Sequence, residues 1–491
     1  MSVVNTHEGP TRLSAYAAAA GSVFFIGIGG VMMSSLAYLT ARAGHAVCGS
    51  DRAPSPVTAR LEAAGIPVFY RHDAANLPAD CGLVVYTVAI SGDNPEYVAA
   101  RERHIPCVSR ADYLGWLMTA YKNRVGVAGM HGKSTCTSMC ARLFMDAEAD
   151  PTVLIGAEYR PLGGAFRLGG QEHFIFEACE YMDSFLDFQP TVAILLGAEW
   201  EHVDYFKSLA QIQDSFAAFA GLTGSGGVTV VNADDETVSR AAGRALSAGK
   251  TGRVITFSTK HREADFFADR ICLRGGLPCF RLMAEGEDWG EVQLSVPGLH
   301  QVYNALAAAA AARVCGLEWA PILHGLTRFE GVSRRMEYRG QIGGAAVYDD
   351  YGHHPTEIRA TLDGAAALCG THPDGTPGEL ICVFQPHTYS RTARLYPDFL
   401  TAFGRASRVF LIDIYAARET DTLGVSSAGL AADLGERASY CPSPAQAAAA
   451  VRAVARPGDV VVVMGAGDVV KVSEALFPGK REEQTQGEGC P

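Results

Sequence analysis

The sequence predicts an α/β protein with mostly parallel sheets, organised as three consecutive modules. Three observations predict this organisation. An apolar run, a polar or glycine-rich turn and a helical pattern follow one another near residue 23, again near residue 124, and a third time after residue 335. With 491 residues, the chain has the length of about three domains of ordinary size. We therefore expect domains at residues 1–120, 121–335 and 336–491.

The composition excludes several classes of protein. Hydrophobic residues make up 48% of the chain and charged residues 19%, which permits sizeable cores and excludes general disorder. The 41 basic and 53 acidic residues give a net charge of −12, which argues against nucleic-acid and anionic-membrane partners. Thirteen cysteines include no C-x-x-C pair, and no secretion signal is recognised. Reduced thiols and a cytoplasmic location are therefore expected.

The first module begins with a polar, Ala-rich lead-in over residues 1–20, which we expect to be poorly ordered at its start. A buried strand over 23–26, a glycine-rich turn over 27–30 and a helix over 33–43 follow. Glycines interrupt the apolar stretch 15–37, so a buried strand followed by a helix explains it better than a signal peptide or a membrane span. The turn favours a phosphate-bearing ligand. Met32 stands where a dinucleotide motif needs glycine, so NAD is not specifically indicated.

The strongest motif opens the second module. A strand over 124–128 precedes Gly129, and Gly132-Lys133-Ser134 precedes a helix over 136–147. The N–H groups of such a loop and of the helix N-terminus bind phosphate, the lysine neutralises charge and the serine hydroxyl can ligate Mg²⁺. The match to a full P-loop is partial, because Val127 stands where its first glycine is expected. The alternative is an ordinary glycine-rich turn.

Acidic residues follow the next two strands, predicted over 174–176 and 191–196. The carboxyl ends of parallel strands meet at one sheet edge, so these side chains are expected Mg²⁺ ligands beside the phosphate loop. Any one of them alone is more typical of a solvated loop charge. The residues are Glu177 and Glu180 after the first strand, and Glu199, Glu201, His202 and Asp204 after the second. An Ala-rich helix over 303–314 follows.

In the third module, two polar runs follow predicted strands. Asp349 to Pro355 follows the strand 345–348, and Gln385 to Arg391 follows the strand 380–384. Both runs favour substrate contacts, and Arg391 could hold a carboxylate with two hydrogen bonds. A helix cap with surface histidines is the alternative for the first run. Further strands are predicted over 409–414 and 460–464, and disorder over 479–491.

Arg334 and Arg335 lie at the second domain boundary. A paired arginine at a hinge could reach a transferring phosphoryl group. The alternative is a solvated linker.

These motifs together resemble the Mur ligases, over nearly the whole chain and in the right order. The resemblance implies a Rossmann-like UDP-binding domain, a central P-loop-type ATPase domain and a C-terminal Rossmann-like domain that brings the amino acid. It implies ATP-dependent joining of L-alanine to the lactyl carboxylate of UDP-N-acetylmuramate through an acyl phosphate, with Mg²⁺. It also implies a monomer or homodimer without nucleic-acid or membrane partners. The resemblance is carried by segments at 27–30, 49–51, 89–96, 129–135, 177–181, 202–206, 331–335, 349–357, 384–392, 414–419 and 464–468.

The resemblance also implies roles for individual residues. Lys133, Glu177, His202 and Arg335 are expected to be catalytic, and Ser134, Glu177 and His202 to ligate Mg²⁺. ATP is expected to contact Gly129, Met130, His131, Gly132, Lys133, Ser134, Thr135, Asn304 and Arg335. The UDP-sugar is expected to contact Gly27, Gly29, Gly30, Ser50, Asp51 and Arg110, and alanine to contact Tyr351, His353 and Arg391.

The chain departs from the family pattern at a few positions, while every charged role stays occupied. The departures are Met130 and Ser134 in place of threonine, Gln301 in place of asparagine, Thr388 in place of a second arginine, and Gly197 and Glu201 in the segment 197–202. Three alternatives stay open: a murein-tripeptide ligase, a catalytically silent nucleotide-binding homologue, and an NAD-dependent oxidoreductase built on Gly27 and Gly29.

Overall fold

The computed structural model describes residues 3–199, 205–417 and 419–478. Packing divides them into two compact units. The first comprises the chain up to Ala157, Gly164–Phe267 and Ala307–Ile322. The second comprises Glu158–Gly163, Ala268–Leu306 and the chain from Leu323 onward. The middle module therefore contributes to both units, while the three predicted α/β segments each contain a sheet.

The first sheet is parallel and lies in the first unit. Its strands are β1 (Ser22–Ile26), β2 (Ala46–Asp51), β3 (Val68–Tyr70), β4 (Cys81–Tyr86) and β5 (Cys107–Ser109), in the order β3-β2-β1-β4-β5. The helices are α1 (Pro10–Ala19), α2 (Val31–Arg42), α3 (Pro56–Ala63), α4 (Pro95–Glu102) and α5 (Arg110–Leu117). The predicted strand 23–26 and the helix after it are confirmed. The second half of the lead-in forms α1, which buries Leu13 and Ala17.

The middle module contributes ten strands. They are β6 (Asn123–Ala128), β7 (Thr152–Tyr159), β8 (Gly164–Arg167), β9 (His173–Glu177), β10 (Val192–Leu195), β11 (Gly224–Asn232), β12 (Thr251–Ser258), β13 (Phe266–Arg274), β14 (Leu277–Ala284) and β15 (Glu287–Gln293). In the first unit the order is β12-β11-β10-β6-β9-β7-β8, with the start of β13 parallel to β12. In the second unit, β14 and β15 form an antiparallel pair next to the rest of β13.

The helices of this module are α6 (Lys133–Asp146), α7 (Leu209–Gly221), α8 (Glu236–Ser247), α9 (His300–Val314) and α10 (Trp319–Thr327). Strands β6, β9 and β10 confirm three predicted apolar runs, and they are almost wholly buried because their side chains are apolar. Each of these three strands ends where the sequence predicted either the phosphate loop or the acidic residues beside it.

The third sheet lies in the second unit. Its strands are β16 (Glu337–Ile342), β17 (Ala345–Asp350), β18 (Leu380–Phe384), β19 (Arg408–Leu411), β20 (Ala438–Tyr440) and β21 (Val460–Met464). Its order is β16-β17-β21-β18-β19-β20, and only the β16–β17 pair in this described sheet is antiparallel. The helices are α11 (Pro355–Ala366), α12 (Tyr389–Arg394), α13 (Tyr396–Ala402), α14 (Ser427–Leu434), α15 (Pro444–Val454) and α16 (Val470–Leu476).

Within the first unit, α5 packs closely against the 3₁₀ segment Tyr181–Asp187 of the middle module. A Cβ atom on Gly115 would lie 1.9 Å from the carbonyl oxygen of Asp187, so only glycine fits there. His7 reaches the same residue, with Nδ1 2.5 Å from Oδ1 of Asp187. The first and middle modules are thus joined by direct backbone packing. Across the described residues, no helix combines the length and apolar character needed to span a membrane.

Candidate active site

The phosphate loop connects β6 to α6. Gly129 and Gly132 have φ values of 152° and 81°, a region that favours glycine. The Met130 N–H donates to the Gly197 carbonyl at 3.0 Å, which ties the loop to the end of β10. Helix α6 starts at Lys133, so its unpaired first-turn N–H groups and the positive end of its dipole face the loop. This is the geometry of an anion-binding turn.

Lys133 extends back over the loop. Its Nζ donates to the carbonyl oxygens of Gly129 at 2.6 Å and Met130 at 3.2 Å, and lies 2.9 Å from Oε2 of Glu180. Burial is the largest single influence on the pKa of Lys133 and lowers it, but the charges of Glu180, Cys179 and Glu177, with the hydrogen bond to Glu180, together outweigh burial and raise the pKa. Lys133 is therefore a permanent cation at the loop. The sequence singled out Glu180 without assigning it to this ion pair.

Ser134 and Glu177 bring two oxygen donors together. The Ser134 hydroxyl donates to Oε2 of Glu177 at 2.8 Å, and the Gly156 N–H donates to the same oxygen at 2.9 Å. A hydroxyl and an oriented carboxylate form a hard oxygen donor set of the type that Mg²⁺ prefers. The structure therefore brings together two of the three predicted metal ligands. The third, His202, lies outside the described residues, as do Glu201 and Asp204.

Of the remaining loop residues, His131 makes a polar contact and Thr135 is buried. His131 Nε2 contacts the Glu199 carboxylate, and Thr135 is buried in the first turn of α6. Next to the loop, a Cβ on Gly197 would lie 3.0 Å from Oδ2 of Asp235. That oxygen accepts the Ala198 N–H at 3.0 Å. Asp235 thus leaves little space for a side chain at Gly197.

The turn between β1 and α2 is organised by β2. The N–H groups of Gly27 and Ile28 donate to the Ser50 carbonyl at 2.8 and 2.9 Å, and the Gly29 N–H donates to Oδ2 of Asp51 at 2.8 Å. A Cβ on Gly29 would lie 2.8 Å from the same carboxylate oxygen. Gly30, the N-cap residue of α2, completes the turn. The structure therefore places the glycine turn at the end of β2, where Gly27 bonds to Ser50 and Gly29 bonds to Asp51.

Ser50 has a position that the sequence did not anticipate. Its side chain is fully buried, and its hydroxyl donates to Oε2 of Glu96 at 2.7 Å. His72 lies within hydrogen-bond distance of both, at 3.1 Å from the Ser50 hydroxyl and 2.8 Å from Glu96. The Ser50 side chain therefore points into the protein interior at the end of β2, where it bonds to Glu96. The sequence did not reveal that His72 and Glu96 contact Ser50, because the three residues lie in separate segments of the chain.

Arg110 begins α5, behind the N-cap Ser109. Burial lowers its pKa, and the nearby Cys179 thiol acts in the opposite direction. Cys179 belongs to the acidic segment that also carries Glu177 and Glu180. Arg110 therefore places a cation of the first module near Cys179 of that segment.

In the second unit, Tyr351 lies between two arginines. The guanidinium carbons of Arg334 and Arg335 are 4.9 and 5.0 Å from the centre of its ring. Arg334 also donates to the Gly465 carbonyl at 2.7 Å, and Arg335 lies 4.0 Å from Oε1 of Glu357. These contacts hold the Arg335 side chain in place at the predicted hinge. They also place it next to Tyr351, which is predicted to bind the substrate alanine. The sequence did not reveal this stacking.

A row of rings continues from Tyr351. His353 lies 5.8 Å from the Tyr351 ring and 5.6 Å from the His387 ring, and His387 stacks on Tyr415 at 5.5 Å. Nη1 of Arg391 is 3.3 Å from Nδ1 of His387. Burial, with the charges of His353 and Arg391, lowers the pKa of His387 to about 4. Two of the predicted alanine-binding residues, His353 and Arg391, therefore contact a neutral histidine, and the third, Tyr351, contacts His353.

His387 and Tyr415 were missed as site residues. Both lie in segments that carry the family resemblance, 384–392 and 414–419, but the resemblance assigned neither residue a role. Thr388, which stands where a second arginine is common, has its hydroxyl 3.4 Å from the Arg391 N–H and caps α12. Asn304 is buried on α9, where its amide donates to Oε1 of Gln301 at 2.9 Å.

Comparison with known families supports the division into modules. Residues 22–122 match the family described as "Mur ligase family, catalytic domain". Residues 127–312 match "Mur ligase middle domain", and residues 334–467 match "Mur ligase, glutamate ligase domain".

Several curated relatives match nearly the whole chain. The UDP-N-acetylmuramate–L-alanine ligase of Lachnospira eligens is 41% identical over 459 residues, which cover 93% of this chain and 97% of that protein. The enzyme of the same name from Clostridium perfringens is 39% identical with the same coverage.

Solved structures agree in fold. The UDP-N-acetylmuramate-alanine ligase of Thermotoga maritima superposes with a TM-score of 0.75 at 27% identity, covering 94% of this chain and 99% of that one. A murein peptide ligase from Psychrobacter arcticus, at 24% identity, superposes with a TM-score of 0.66 over 96% of this chain and all of its own length, which shows a shared fold. With family matches in all three modules and relatives of about 40% identity along its length, the chain belongs to the Mur ligase family.

Proposed function

We propose that this protein is an ATP-dependent ligase that joins L-alanine to the lactyl carboxylate of UDP-N-acetylmuramate in peptidoglycan precursor synthesis. The observation that carries the proposal is the match, over 93% of the chain, to relatives named for this reaction. The phosphate loop with its buried Lys133 supplies the nucleotide-binding geometry that the reaction needs. A cytoplasmic location fits a reaction that uses ATP.

The reaction has two balanced steps. A carboxylate oxygen of the sugar attacks the γ-phosphorus of ATP, ADP leaves, and an acyl phosphate forms. The alanine amine then attacks the acyl carbon, loses a proton and expels phosphate. The protein contributes mainly positioning and charge neutralisation. Lys133 and the first-turn N–H groups of α6 would hold the phosphates, and Arg335 would reach the transferred group from the domain edge.

We assign Mg²⁺ to Ser134 and Glu177, with His202 as the predicted further ligand. The described donors fit this ion, because the Ser134 hydroxyl and the Glu177 carboxylate are adjacent oxygens. When bound there, Mg²⁺ would offset negative charge on the phosphates. The Gly156 N–H holds the Glu177 carboxylate in one orientation for this role.

The two other substrates are assigned to the two remaining clusters. The turn at Gly27, Gly29 and Gly30, with Asp51 and Arg110, would take the UDP-sugar. Arg391 would bind the alanine carboxylate, with Tyr351 and His353 beside it. These assignments fit domain limits near residues 120 and 335, with one substrate class for each module.

An amino-donor panel tests the substrate assignment. Phosphate release is measured with ATP, Mg²⁺ and UDP-N-acetylmuramate, while alanine, serine, glycine or the murein tripeptide is supplied as the amine. We expect release to be fastest with alanine. A preference for the tripeptide would identify a murein-tripeptide ligase, and the absence of release with every amine would identify a silent homologue.

A lysine substitution tests the loop. Lys133→Ala is expected to lower phosphate release by roughly 10²–10³-fold, because it removes a charge from the transferring phosphates. UDP-sugar affinity, measured by calorimetry, is expected to stay unchanged. Lys250→Ala removes an exposed lysine from the first unit and serves as the control. Retained turnover in Lys133→Ala would remove the loop from the mechanism.

A further inference from the structure

Strands β13 and β14 form a tight hairpin. Only Gly275 and Gly276 separate Arg274, the last residue of β13, from Leu277, the first residue of β14. Their φ values of 61° and 79° are those of a two-residue turn with both central residues in the left-handed region. Such a turn fixes the register of the strands that it joins.

This register places two thiols opposite each other. Counting from the Arg274–Leu277 pair, Cys272 faces Cys279 two residues farther along the hairpin, on the same face. The two thiols are close enough to influence each other, because Cys272 contributes to raising the pKa of the Cys279 thiol. Directly opposed residues have Cα atoms about 4.5–5.5 Å apart, within the range of about 4.4–6.8 Å that a disulfide requires.

The two thiols differ in access. Cys272 is exposed, whereas Cys279 is 1% exposed. Burial raises the pKa of the Cys279 thiol, and the Arg274 guanidinium opposes this rise. Glu291 holds that guanidinium with two hydrogen bonds of 2.9 and 3.2 Å. The Arg274 guanidinium interacts with both thiols, so a fixed cation stands near the two sulfur atoms.

Other cysteines lack this arrangement. Of the cysteines that the structure describes, Cys179 and Cys272 are exposed, and Cys179 lies among Lys133 and acidic groups. Cys136 and Cys140 are neighbours, but both are buried within α6. The hairpin is thus where an accessible thiol faces a second thiol.

We propose that Cys272 and Cys279 form a reversible dithiol–disulfide site that reacts with low-molecular-weight disulfides. The Cys272 thiolate attacks one sulfur of the external disulfide, forms a mixed disulfide and releases one small thiol. The Cys279 thiolate then attacks the Cys272 sulfur and releases the second small thiol. The protein loses two electrons and two protons, and the external disulfide gains both to become two thiols.

Peptide mapping of the whole protein tests this site with oxidised glutathione as the probe. Trypsin cleaves after Arg270, Arg274 and Arg281, so it separates the peptides 271–274 and 275–281, each with one of the two cysteines. After oxidation and digestion without reductant, we expect these two peptides to stay linked, with a mass two hydrogens below their sum. Dithiothreitol is expected to release them.

Two variants identify the order of attack. Cys279→Ser is expected to trap one glutathione on Cys272, and Cys272→Ser to abolish both the link and the adduct on this hairpin. Cys369→Ser, which removes a half-buried cysteine elsewhere, is expected to keep the link. If both thiols of the unmodified chain stay free, or if it retains glutathione on Cys272 without forming the link, the proposal is wrong. This outcome leaves the ligase assignment unaffected.

Discussion

The ammonium nitrogen of Lys133 lies 2.9 Å from Oε2 of Glu180, and the Glu180 side chain is completely shielded from solvent. Breaking such a buried pair from one side leaves a charge without its partner. We expect Glu180→Gln to lower the free energy of unfolding by about 3 kcal/mol, measured by urea titration. Combining it with Lys133→Met is expected to restore part of this loss.

The exposed pair Lys122–Glu172, at 3.1 Å, is the matched control. Glu172→Gln is expected to lower the free energy of unfolding far less than Glu180→Gln, because solvent screens the exposed interaction. Equal losses for the two glutamate variants would mean that burial of the Lys133–Glu180 pair has no energetic importance.

Gly29→Ala tests the first-module turn. The added methyl group would lie 2.8 Å from both Oδ2 of Asp51 and Cγ2 of Thr58. We expect KM for UDP-N-acetylmuramate to rise by roughly tenfold, equivalent to about 1.4 kcal/mol of overpacking, with little change in KM for ATP. Steady-state phosphate release measures both constants. Gly243→Ala, whose new methyl group meets no atom within 4 Å, should leave both unchanged.

Tyr351 tests the stacking that holds the paired arginines. Tyr351→Leu removes the aromatic face from Arg334 and Arg335, and we expect it to lower the free energy of unfolding by about 1 kcal/mol and to reduce kcat. Tyr351→Phe keeps the ring and should preserve most of both. If phenylalanine and leucine cause the same loss, the hydroxyl group is responsible, and the stacking explanation is wrong.

Arg391 tests the amino-acid site. Arg391→Ala is expected to raise KM for alanine roughly 10- to 100-fold, the effect of losing a hydrogen bond to a charged group, and to change KM for ATP little. Arg394→Ala removes the same charge from an exposed position on α12 and is the control. Similar changes in both KM values would assign Arg391 to another role.

The lowered pKa of His387 predicts that the stability of the protein depends on pH. Its pKa is lowered from 6.5 to about 4 by burial and by its neighbours His353 and Arg391, so the unfolded chain binds this proton first. The neutral imidazole therefore contributes stability above pH 6.5 that is lost as the pH falls towards 4. Urea titrations should show a smaller loss in His387→Gln over this interval. His324→Gln, an exposed control, should retain the wild-type slope.

Much of the fold could be predicted because buried parallel strands have continuous apolar sequences. Strands β1, β6 and β18 are of this kind, and the glycines after β1 and β6 mark turns that need positive φ. Strands β13 to β15 were missed for the opposite reason. They carry exposed charged residues such as Arg274 and Glu287, so no apolar run reveals them.

The candidate site was predictable as groups of residues at strand ends, but not as contacts. Lys133 and Glu180 belong to different segments, and only the packing of β6 beside β9 makes them partners. Ser50 shows the reverse case. It stands at a strand end as a ligand-binding residue would, yet its side chain turns inward to Glu96. The direction of a side chain depends on tertiary neighbours that no local motif specifies.

The close approach of Gly115 to the Asp187 carbonyl has a consequence for mutational screens. Any side chain at position 115 would force helix α5 of the first module away from the 3₁₀ segment Tyr181–Asp187. Such a variant is expected to score as inactive, although residue 115 is not among the predicted ligand-binding residues. Intolerance there would show that only the hydrogen atom of glycine fits against the Asp187 carbonyl, and it would not identify a step in the chemistry.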